Sequence, residues 1–429
     1  MVFRNLWIVT IVLVLTSNIL FAQHTYIHAG DLIIGEQEAV LDDVTIVVED
    51  DIILEIRNGF VEPETDDDKL IDLRDHTVMP GFIDMHVHLE GETGPERYIE
   101  TFTLDPEDIA FRSTKYARRT LEAGFTTVRD LGGSGVNISL RDAVEAGYVD
   151  GPRILTAGYG LAVTGGHGDP TNAHNRELRG EPGPHQGVVD GVDEVRKGVR
   201  HQIKLGADWI KITATGGVLS VAREGERPQF SEEEIEMVVE TAADWGIQVA
   251  AHAHGDEGMQ RAVRAGVKTI DHGTLMSEET MELMKEKGTF YVPTITAGKQ
   301  VAEKAEVDGY YPEVVRPKAR ELGPQIQDTF GDAWRADVPI AFGTDAGVFP
   351  HGDNAREFVY MVETGYPEIQ AIQSATSVNA EILGLENLGK LQEGYIADII
   401  AVQGDPLEDI SLLKEMDFVM KEGRIYLSP

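Results

Sequence analysis

Between Gly81 and about Leu385, short apolar segments alternate with helical segments, and this alternation predicts an α/β fold, a (β/α)8 TIM barrel. Both ends of the chain read instead as short strands, which predict a small β-sandwich domain built from both chain ends. The alternative for the central region is an open, doubly wound sheet. The barrel is favoured because no G-x-G-x-x-G motif follows the first strand.

Two hairpin signals support the β-sandwich. The segment "VTIVVEDDIILEI" has two β-branched runs around Asp50 and Asp51, and "DFVMKEGRIYL" turns at the Lys-Glu-Gly of residues 421–423. Neither end has enough strands to bury one face of a sheet alone. We therefore expect residues 23–80 and 386–429 to form one domain beside a barrel of residues 81–385.

The predicted barrel strands are short apolar runs that end in polar or glycine residues: FTTVRD, RILTAG, DWIKIT, IQVAAHAH, VKTIDHG, TFYVPT and PIAFGTD. The clearest helix between them runs from Ser231 to Trp245 and opens with a capping box formed by Ser231 and Glu234. Residues 163–191 are rich in Gly, Pro and His. We expect them to form a long loop over the mouth of the barrel.

The N-terminus has the pattern of a secretory signal peptide. Arg4 precedes an apolar core from Leu6 to Leu15, and "FAQ" offers a cleavage site after Ala22. A membrane span needs about 20 apolar residues, and the Thr-Ser-Asn of residues 16–18 interrupts this one. We predict that residues 1–22 are removed, that no stable membrane anchor remains, and that the protein is exported to the periplasm or secreted.

Charge and cysteine content narrow the range of partners. The formal net charge is -37, with 74 Asp and Glu against 37 Lys and Arg. An acidic surface of this kind disfavours nucleic acid and anionic lipid as partners. The chain has no cysteine, so a metal ion must be held by histidine, carboxylate or a less usual ligand. Composition leaves open whether the chain forms a homo-oligomer.

Histidines and one aspartate mark the ends of several predicted strands. His86 and His88 in "PGFIDMHVHLEG" face the same side of the first barrel strand. Taken alone, such a pair favours chance or a structural role over a metal site. His252 ends "IQVAAH", His272 ends "VKTIDH" and Asp345 ends "PIAFGTD". All of them lie at the C-terminal end of their strands, where the active sites of barrel enzymes are found.

Lys211 in "DWIKITATGG" is the sixth candidate ligand. A lysine inside a barrel strand is unexpected, because a buried ammonium group is costly unless it loses its charge. A neutral lysine can add CO2 and become a carbamate, which is an anionic ligand with two oxygen atoms. Six such residues at one rim of a barrel predict a metal centre.

The chain resembles the amidohydrolase superfamily, in the branch of imidazolonepropionase-like proteins and exported Xaa-Pro and Xaa-Arg/Lys dipeptidases, near the ochratoxin-degrading amidases. The resemblance covers nearly the whole chain after the predicted signal peptide. It rests on the segments MPGFIDMHVHL, IKITATGG, QFSEEEI followed by VAAHAHG, IDHGT, AFGTDAG and LGKLQEGYIADIIAV.

The resemblance implies a binuclear metal centre. His86, His88 and Asp345 would hold one divalent metal ion, His252 and His272 the second, and carboxylated Lys211 would bridge them. Nitrogen and oxygen ligands without thiolate suit Zn²⁺. Asp345 would also be catalytic, taking the proton of the attacking water and passing it to the leaving amine.

Three further residues are candidates for binding the substrate. His254 lies two residues after His252 and points the same way, so it is either a substrate contact or a structural residue. His167, between glycines in "VTGGHGD", has little packing role on its loop. Arg223 in "VAREGERPQF" could bind a carboxylate with two hydrogen bonds, although a solvated surface arginine is the simpler interpretation.

These observations predict an exported amidohydrolase that cleaves the amide bond of a dipeptide or an N-acyl amino acid. One alternative is hydrolysis of a cyclic amide, a lactone or a phosphotriester by the same kind of site. An alternative of another class is a non-catalytic extracellular protein that binds a metal or a ligand. Such a protein would not need Asp345 as a base.

Overall fold

The computed structural model describes residues 23–36, 40–221 and 225–429. The predicted signal peptide, residues 1–22, lies outside the described residues, and so does Arg223. No helix within the described ranges is both long enough and apolar enough to cross a membrane.

The strands are β1 (His24–Ile33), β2 (Val40–Glu49), β3 (Ile52–Asn58), β4 (Lys69–Pro80), β5 (Phe82–Val87), β6 (Phe125–Asp130), β7 (Arg153–Thr156), β8 (Ile210–Thr213), β9 (Val249–Ala253), β10 (Thr269–His272), β11 (Phe290–Val292), β12 (Ile399–Gln403), β13 (Phe418–Lys421) and β14 (Arg424–Leu427). The helices are α1 (Arg97–Thr103), α2 (Pro106–Glu122), α3 (Val136–Glu145), α4 (Arg176–Arg179), α5 (Gly191–Leu205), α6 (Glu232–Ala243), α7 (Asp256–Ala265), α8 (Glu278–Lys287), α9 (Ile295–Ala305), α10 (Arg316–Arg335), α11 (Arg356–Val362), α12 (Glu368–Ser374) and α13 (Ser377–Leu383). Two 3-10 turns lie at Pro184–Gln186 and Ile410–Lys414.

Strands from both ends of the chain form one seven-stranded sheet in the order β14-β13-β12-β4-β1-β2-β3. The two predicted hairpins are confirmed, since β2 pairs with β3 and β13 with β14, both antiparallel. Hydrogen bonds join the β2–β3 hairpin to the segment before β12: Ile53 N donates to Tyr395 O at 2.8 Å, and Ala397 N donates to Asp51 O at 2.7 Å. In the described part of the chain the sheet domain is therefore one curved sheet with its own apolar core. The domain boundaries at residues 80 and 385 stay predictions.

The central region has the TIM-barrel-like arrangement that the alternation predicts. Parallel strands form a sheet β5-β6-β7 and a sheet β11-β10-β9-β8. Single parallel bridges connect their edges, and these bridges are Leu161–Ile212, Tyr291–Ile340 and Val87–Ala346. The predicted strand "PIAFGTD" is thus bridged on both sides without being a regular strand. One physical reason is Asp345, whose φ of 61° departs from extended geometry.

Buried aromatic rings pack β5 against helix α11. The Phe82 ring lies 4.8 Å from that of Phe358, which in turn stacks on Phe342 at 4.3 Å. All three side chains are fully buried. The packing fixes the strand that carries His86 relative to the segment that carries Asp345.

The predicted helix after Ser231 is α6, which ends at Ala243, two residues earlier than expected. The capping box is confirmed, because Glu234 N donates to Ser231 Oγ at 3.3 Å and Ser231 N donates to Glu234 Oε2 at 2.8 Å. These bonds satisfy two backbone amides that the helix itself cannot pair.

Removing this cap tests the contribution of α6 to stability. Ser231→Ala should lower the free energy of unfolding by about 1 kcal/mol, because the Glu234 amide loses its acceptor. Urea denaturation measures the change, with Ser231→Thr as a control that keeps the hydroxyl. An unchanged transition in Ser231→Ala would show that the cap does not stabilise the helix.

Candidate functional site

The barrel strands bring the six predicted ligands together, five of them at strand ends and Lys211 as the second residue of β8. Five of them lie in or directly after β5, β8, β9 and β10, and these are His86, His88, Lys211, His252 and His272. The sixth, Asp345, lies in the bridged segment beside β5, where its backbone N donates to His86 O at 2.7 Å.

His86, His88 and Asp345 form a compact group. The Nε2 atoms of the two histidines are 3.3 Å apart, and Asp345 Oδ1 lies 3.6 Å from His86 Nε2 and 3.4 Å from His88 Nε2. His88 is the more accessible histidine, with 35% of its side chain exposed against 2% for His86. The group therefore faces solvent through His88.

His252 and His272 lie side by side at the ends of neighbouring strands, with ring centroids 4.6 Å apart. His252 Nε2 pairs with Gly216 O at 3.0 Å, and His272 Nδ1 pairs with Thr294 Oγ1 at 2.8 Å. Each of these bonds fixes the orientation of a ring and leaves its other nitrogen for a ligand.

The donor set fits a divalent metal ion. His86, His272 and Asp345 each offer one ligand atom, and these three atoms lie within 4.8 Å of one another. Burial lowers the pKa of His88 to about 4 and holds the pKa values of His86, His252 and His272 well below the usual one. The imidazoles are therefore neutral near pH 7, and neutral imidazole is the form that binds metal. His86 Nδ1 is buried and makes no hydrogen bond to any described residue.

Lys211 faces the interior of the barrel, as predicted. Only 4% of the residue is exposed, and its Nζ donates to Asp271 Oδ2 at 2.5 Å. Burial lowers the pKa of Lys211, while the Asp271 carboxylate opposes that shift. Asp271 also accepts from Arg129 Nη2 at 3.4 Å and lies 3.5 Å from His86 Nδ1. The carboxylated form of Lys211 stays a prediction.

Three residues at the strand ends have left-handed backbone conformations although none of them is glycine: His272 with φ 73°, Thr294 with φ 54° and Asp345 with φ 61°. Such conformations cost free energy, and they persist where the surrounding contacts enforce them. Two of the three residues are predicted ligands, and the third binds one of them.

The substrate-binding candidates have different positions. The His167 ring stacks on His252 with centroids 4.4 Å apart, so its loop does reach the predicted metal centre. His254 is buried, stacks on His272 and pairs with Thr274 Oγ1 at 2.7 Å. That hydrogen bond favours a structural role for one of its nitrogens. Arg223 lies outside the described residues.

Sequence reasoning missed Asp271 and Arg129, which extend the site into the barrel. Alternation along β10 would turn Asp271 away from its neighbour His272, but the left-handed conformation of His272 breaks the alternation. Arg129 is fully buried, its Nε donates to Met85 O at 2.7 Å, and its guanidinium lies over the Trp209 ring at 4.5 Å. Each of the apolar runs "FTTVRD" and "VKTIDHG" contains one of these two charged residues. A charged residue within an apolar run is the sequence signal that could have identified them.

Two other buried carboxylates hold the strand ends in place. Asp84 Oδ1 accepts from the backbone N of His86 at 3.0 Å and of Thr344 at 3.1 Å, and its Oδ2 accepts from Asn354 Nδ2 at 2.8 Å. Asp84 thus joins the strand of His86 to the segment of Asp345.

Asp130 acts in a similar way beside His88. It accepts from the backbone N of Leu89 at 2.8 Å and of Gly132 at 3.2 Å, and Gly132 O pairs with His88 Nδ1 at 2.8 Å. The side chain of His88 is therefore oriented through Gly132.

Lys318 on α10 fixes the loop that borders His252. Its Nζ donates to Gly217 O at 2.9 Å and to Ser220 O at 2.7 Å. Glycine is required at residue 217, because a Cβ atom there would lie 2.2 Å from the His167 ring. The loop, its lysine and His167 together wall one side of the site.

The chain belongs to the amidohydrolase family, because the protein-family model described as "Amidohydrolase family" matches residues 77–426. A solved Xaa-Pro dipeptidase with methionine bound in its active site is 52% identical, with a TM-score of 0.92, and the match covers 95% of this chain and 100% of that one. The ochratoxinase of Aspergillus niger is 35% identical over 433 residues, covering 95% of this chain and 88% of that protein. A prolidase complexed with N-methylphosphonate-L-proline is 34% identical, with a TM-score of 0.85, covering 95% and 100% of the two chains.

The family and these relatives show that the chain is a hydrolase acting on amide bonds. This result confirms the resemblance that the sequence motifs indicate. It also sets aside the alternative of a non-catalytic binding protein.

Asp84 provides a test of how the site is held together. Asp84→Asn places an amide donor against backbone and hydroxyl donors, so it should destabilise the fold by about 1–3 kcal/mol. Because His86 and Asp345 lose their common anchor, the metal content of the purified protein should also fall, as measured by inductively coupled plasma mass spectrometry.

The matched control is Asp208→Asn. Asp208 also accepts from a backbone N, that of Thr156 at 2.9 Å, but it lies before β8, and its other partner is Arg141 Nη1 at 2.8 Å. The control should lose stability and keep its metal. Equal metal content in both variants would contradict a role of Asp84 at the site.

Proposed function

We propose that this chain binds two divalent metal ions, with Zn²⁺ favoured, and hydrolyses the amide bond of a dipeptide or N-acyl amino acid that has a free carboxylate. The observation that carries the proposal is the group of neutral histidines, one carboxylate and one buried lysine at a single end of the barrel strands. The ordering of the strands around this group supports a closed (β/α)8 barrel.

The residues divide into two ligand sets. His86, His88 and Asp345 would hold one ion, and the contacts of 3.3–3.6 Å among them support this grouping. His252 and His272 would hold the second ion through the ring nitrogens that do not pair with Gly216 O and Thr294 Oγ1. Lys211 would bridge the two as a carbamate, which its burial and its contact with Asp271, 3.5 Å from His86 Nδ1, support.

Bound divalent ions would supply Lewis acidity toward the scissile carbonyl and would lower the pKa of a water molecule. The Asp345 carboxylate would accept the proton of the attacking water and deliver it to the leaving amine. Asp345 is suited to this role because its Oδ1 lies 3.4 Å from His88 Nε2 and 3.6 Å from His86 Nε2, beside the place where the metal-bound water would be. His167 beside His252 closes the site toward its loop.

The substrate class is inferred from the relatives. One relative is a Xaa-Pro dipeptidase with methionine bound in its active site, one is a prolidase complexed with N-methylphosphonate-L-proline, and one is an ochratoxinase. Methionine and N-methylphosphonate-L-proline each carry a carboxylate on the carbon atom that bears their nitrogen. In a dipeptide substrate this nitrogen would be the amide nitrogen. His167 and Arg223 are the proposed donors for this carboxylate, and His254 is a further candidate contact.

We also propose that the protein is exported and acts in the periplasm or outside the cell. The support is the order of features in residues 1–22, where a charged residue is followed by an apolar core and then by a cleavage site. An exported enzyme encounters peptides and N-acyl amino acids more often than ring intermediates of catabolism. Cyclic amides, lactones and phosphotriesters remain the alternative substrates.

Lys211→Ala tests the bridging role. The native protein should hold about two divalent ions per chain, and the variant should lose most of them because a shared ligand is gone. Elemental analysis of dialysed protein measures the loss. Lys421→Ala is the control, since Lys421 is also only 4% exposed but belongs to the sheet domain. Full metal occupancy in Lys211→Ala would rule out the bridge.

Asp345→Asn tests the proton transfer. Removal of a general base typically costs about 10²–10⁴ in rate, so kcat should fall at least about a hundredfold while the protein stays folded. Asp398→Asn, at a buried carboxylate of the sheet domain, serves as the control. Near-normal turnover in Asp345→Asn would place the base elsewhere.

Substrate amidation tests the carboxylate requirement. Free dipeptides or N-acyl amino acids should be cleaved, and converting the C-terminal carboxylate to an amide should lower kcat/KM at least about tenfold, or about 1.4 kcal/mol. Amino acid release measured by chromatography gives both rates. Equal rates would remove the carboxylate contact from the proposal, and activity restricted to lactones or cyclic amides would favour the alternative.

A further inference from the structure

Glu357 is a fully buried carboxylate on α11 that no predicted function requires. Its Oε1 accepts from the backbone N of Ile295 at 2.6 Å. Its Oε2 accepts from the backbone N of Thr296 at 2.7 Å and from Thr296 Oγ1 at 2.6 Å. Ile295 and Thr296 are the first residues of α9, so Glu357 caps this helix from a distance by accepting hydrogen bonds from its first two backbone amides.

The residue before α9, Thr294, would ordinarily use its own hydroxyl to cap the helix. Here that hydroxyl pairs with His272 Nδ1 at 2.8 Å. Thr294 is fully buried, its φ is 54°, and its backbone N donates to Gly343 O at 3.2 Å. A β-branched residue rarely adopts this conformation, so its neighbours must enforce it.

The contacts form a continuous path from α11 to the active site. Because Glu357 satisfies the backbone amides of Ile295 and Thr296, the hydroxyl of Thr294 is available to His272. The bond at Nδ1 then determines the plane of the imidazole ring and leaves Nε2 for a ligand. Without the carboxylate, the start of α9 would compete for the Thr294 hydroxyl.

We propose that Glu357 is a positioning residue for the active site, which caps α9 in place of Thr294 and thereby fixes the ring of His272. The proposal rests on the proposed function, in which His272 is a metal ligand. Glu357 itself touches neither metal nor substrate.

The test measures binding of Co²⁺ alone to metal-free protein, by its visible absorption and by competition with a chelator. Glu357→Gln turns one acceptor into a donor that faces a backbone N–H, and it should weaken Co²⁺ binding at least tenfold and alter the spectrum. Thr294→Val, which removes the hydroxyl, should produce a similar loss of Co²⁺ affinity. Thr294→Ser, which keeps the hydroxyl, should bind Co²⁺ as the native protein does. Because both changes act through one path, the double variant should bind Co²⁺ about as well as either single variant.

Asp256→Asn is the matched control for helix capping. Asp256 Oδ1 accepts from the backbone N of Ser277 at 2.8 Å and from Thr280 Oγ1 at 2.6 Å, at the start of α8. This variant should show a loss of thermal stability comparable to that of Glu357→Gln, with Co²⁺ affinity and spectrum unchanged.

The outcomes separate this inference from the proposed function. If the native protein binds no Co²⁺, the proposed function fails. If the native protein binds Co²⁺ and Glu357→Gln behaves like the control, or its loss adds to that of Thr294→Val, the positioning role is wrong. Should Glu357→Gln not fold, Thr296→Val loosens the same carboxylate more gently, and wild-type Co²⁺ affinity in that variant would equally overturn the inference.

Discussion

Buried carboxylates that accept backbone hydrogen bonds hold the strand ends on which the whole site depends. Asp84 joins β5 to the segment of Asp345, Asp130 joins the end of β6 to the residue after His88, and Glu357 fixes the start of α9. A carboxylate out of water needs several donors to remain charged, and its burial is costly without them. Burial raises the pKa of Asp84 to about 6 and that of Asp130 to about 7 even with these donors.

The interior of the barrel carries a cluster of charged residues that includes the predicted ligand Lys211. Asp271 accepts hydrogen bonds from both Lys211 and Arg129, and none of the three side chains is more than 5% exposed. Removing one partner from such a cluster leaves an uncompensated buried charge. If Lys211 becomes a carbamate, Arg129 remains as the cation that faces Asp271. A change in the charge of Lys211, the predicted bridging ligand, would therefore alter the ion pairs that stabilise the interior of the barrel.

Local sequence patterns could predict the elements whose geometry is set by their own residues. The hairpin at Asp50 and Asp51 and the capping box at Ser231 depend on near neighbours, and both are observed. The ligand positions could be predicted because strand ends of a barrel converge at one face whatever the details of packing.

Contacts between distant segments explain what could not be predicted. Asp271 and its neighbour His272 both approach His86, which strand alternation does not allow, because His272 adopts a left-handed conformation that no periodicity reveals. Glu357 reaches α9 from a helix that begins 51 residues after α9 ends, at Arg356 against Ala305. The segment of Asp345 is bridged on both sides without forming a strand, because its backbone donors pair with Asp84 and with His86 O.

Anomalous X-ray diffraction at the absorption edge of the bound metal tests the central claim most directly. Crystals of the purified protein should show two anomalous peaks, one among His86, His88 and Asp345 and one beside His252 and His272. Continuous electron density should extend beyond Nζ of Lys211 to both peaks. A single peak, or a Lys211 side chain that still pairs with Asp271 in the metal-loaded protein, would contradict the binuclear centre and its carbamate bridge.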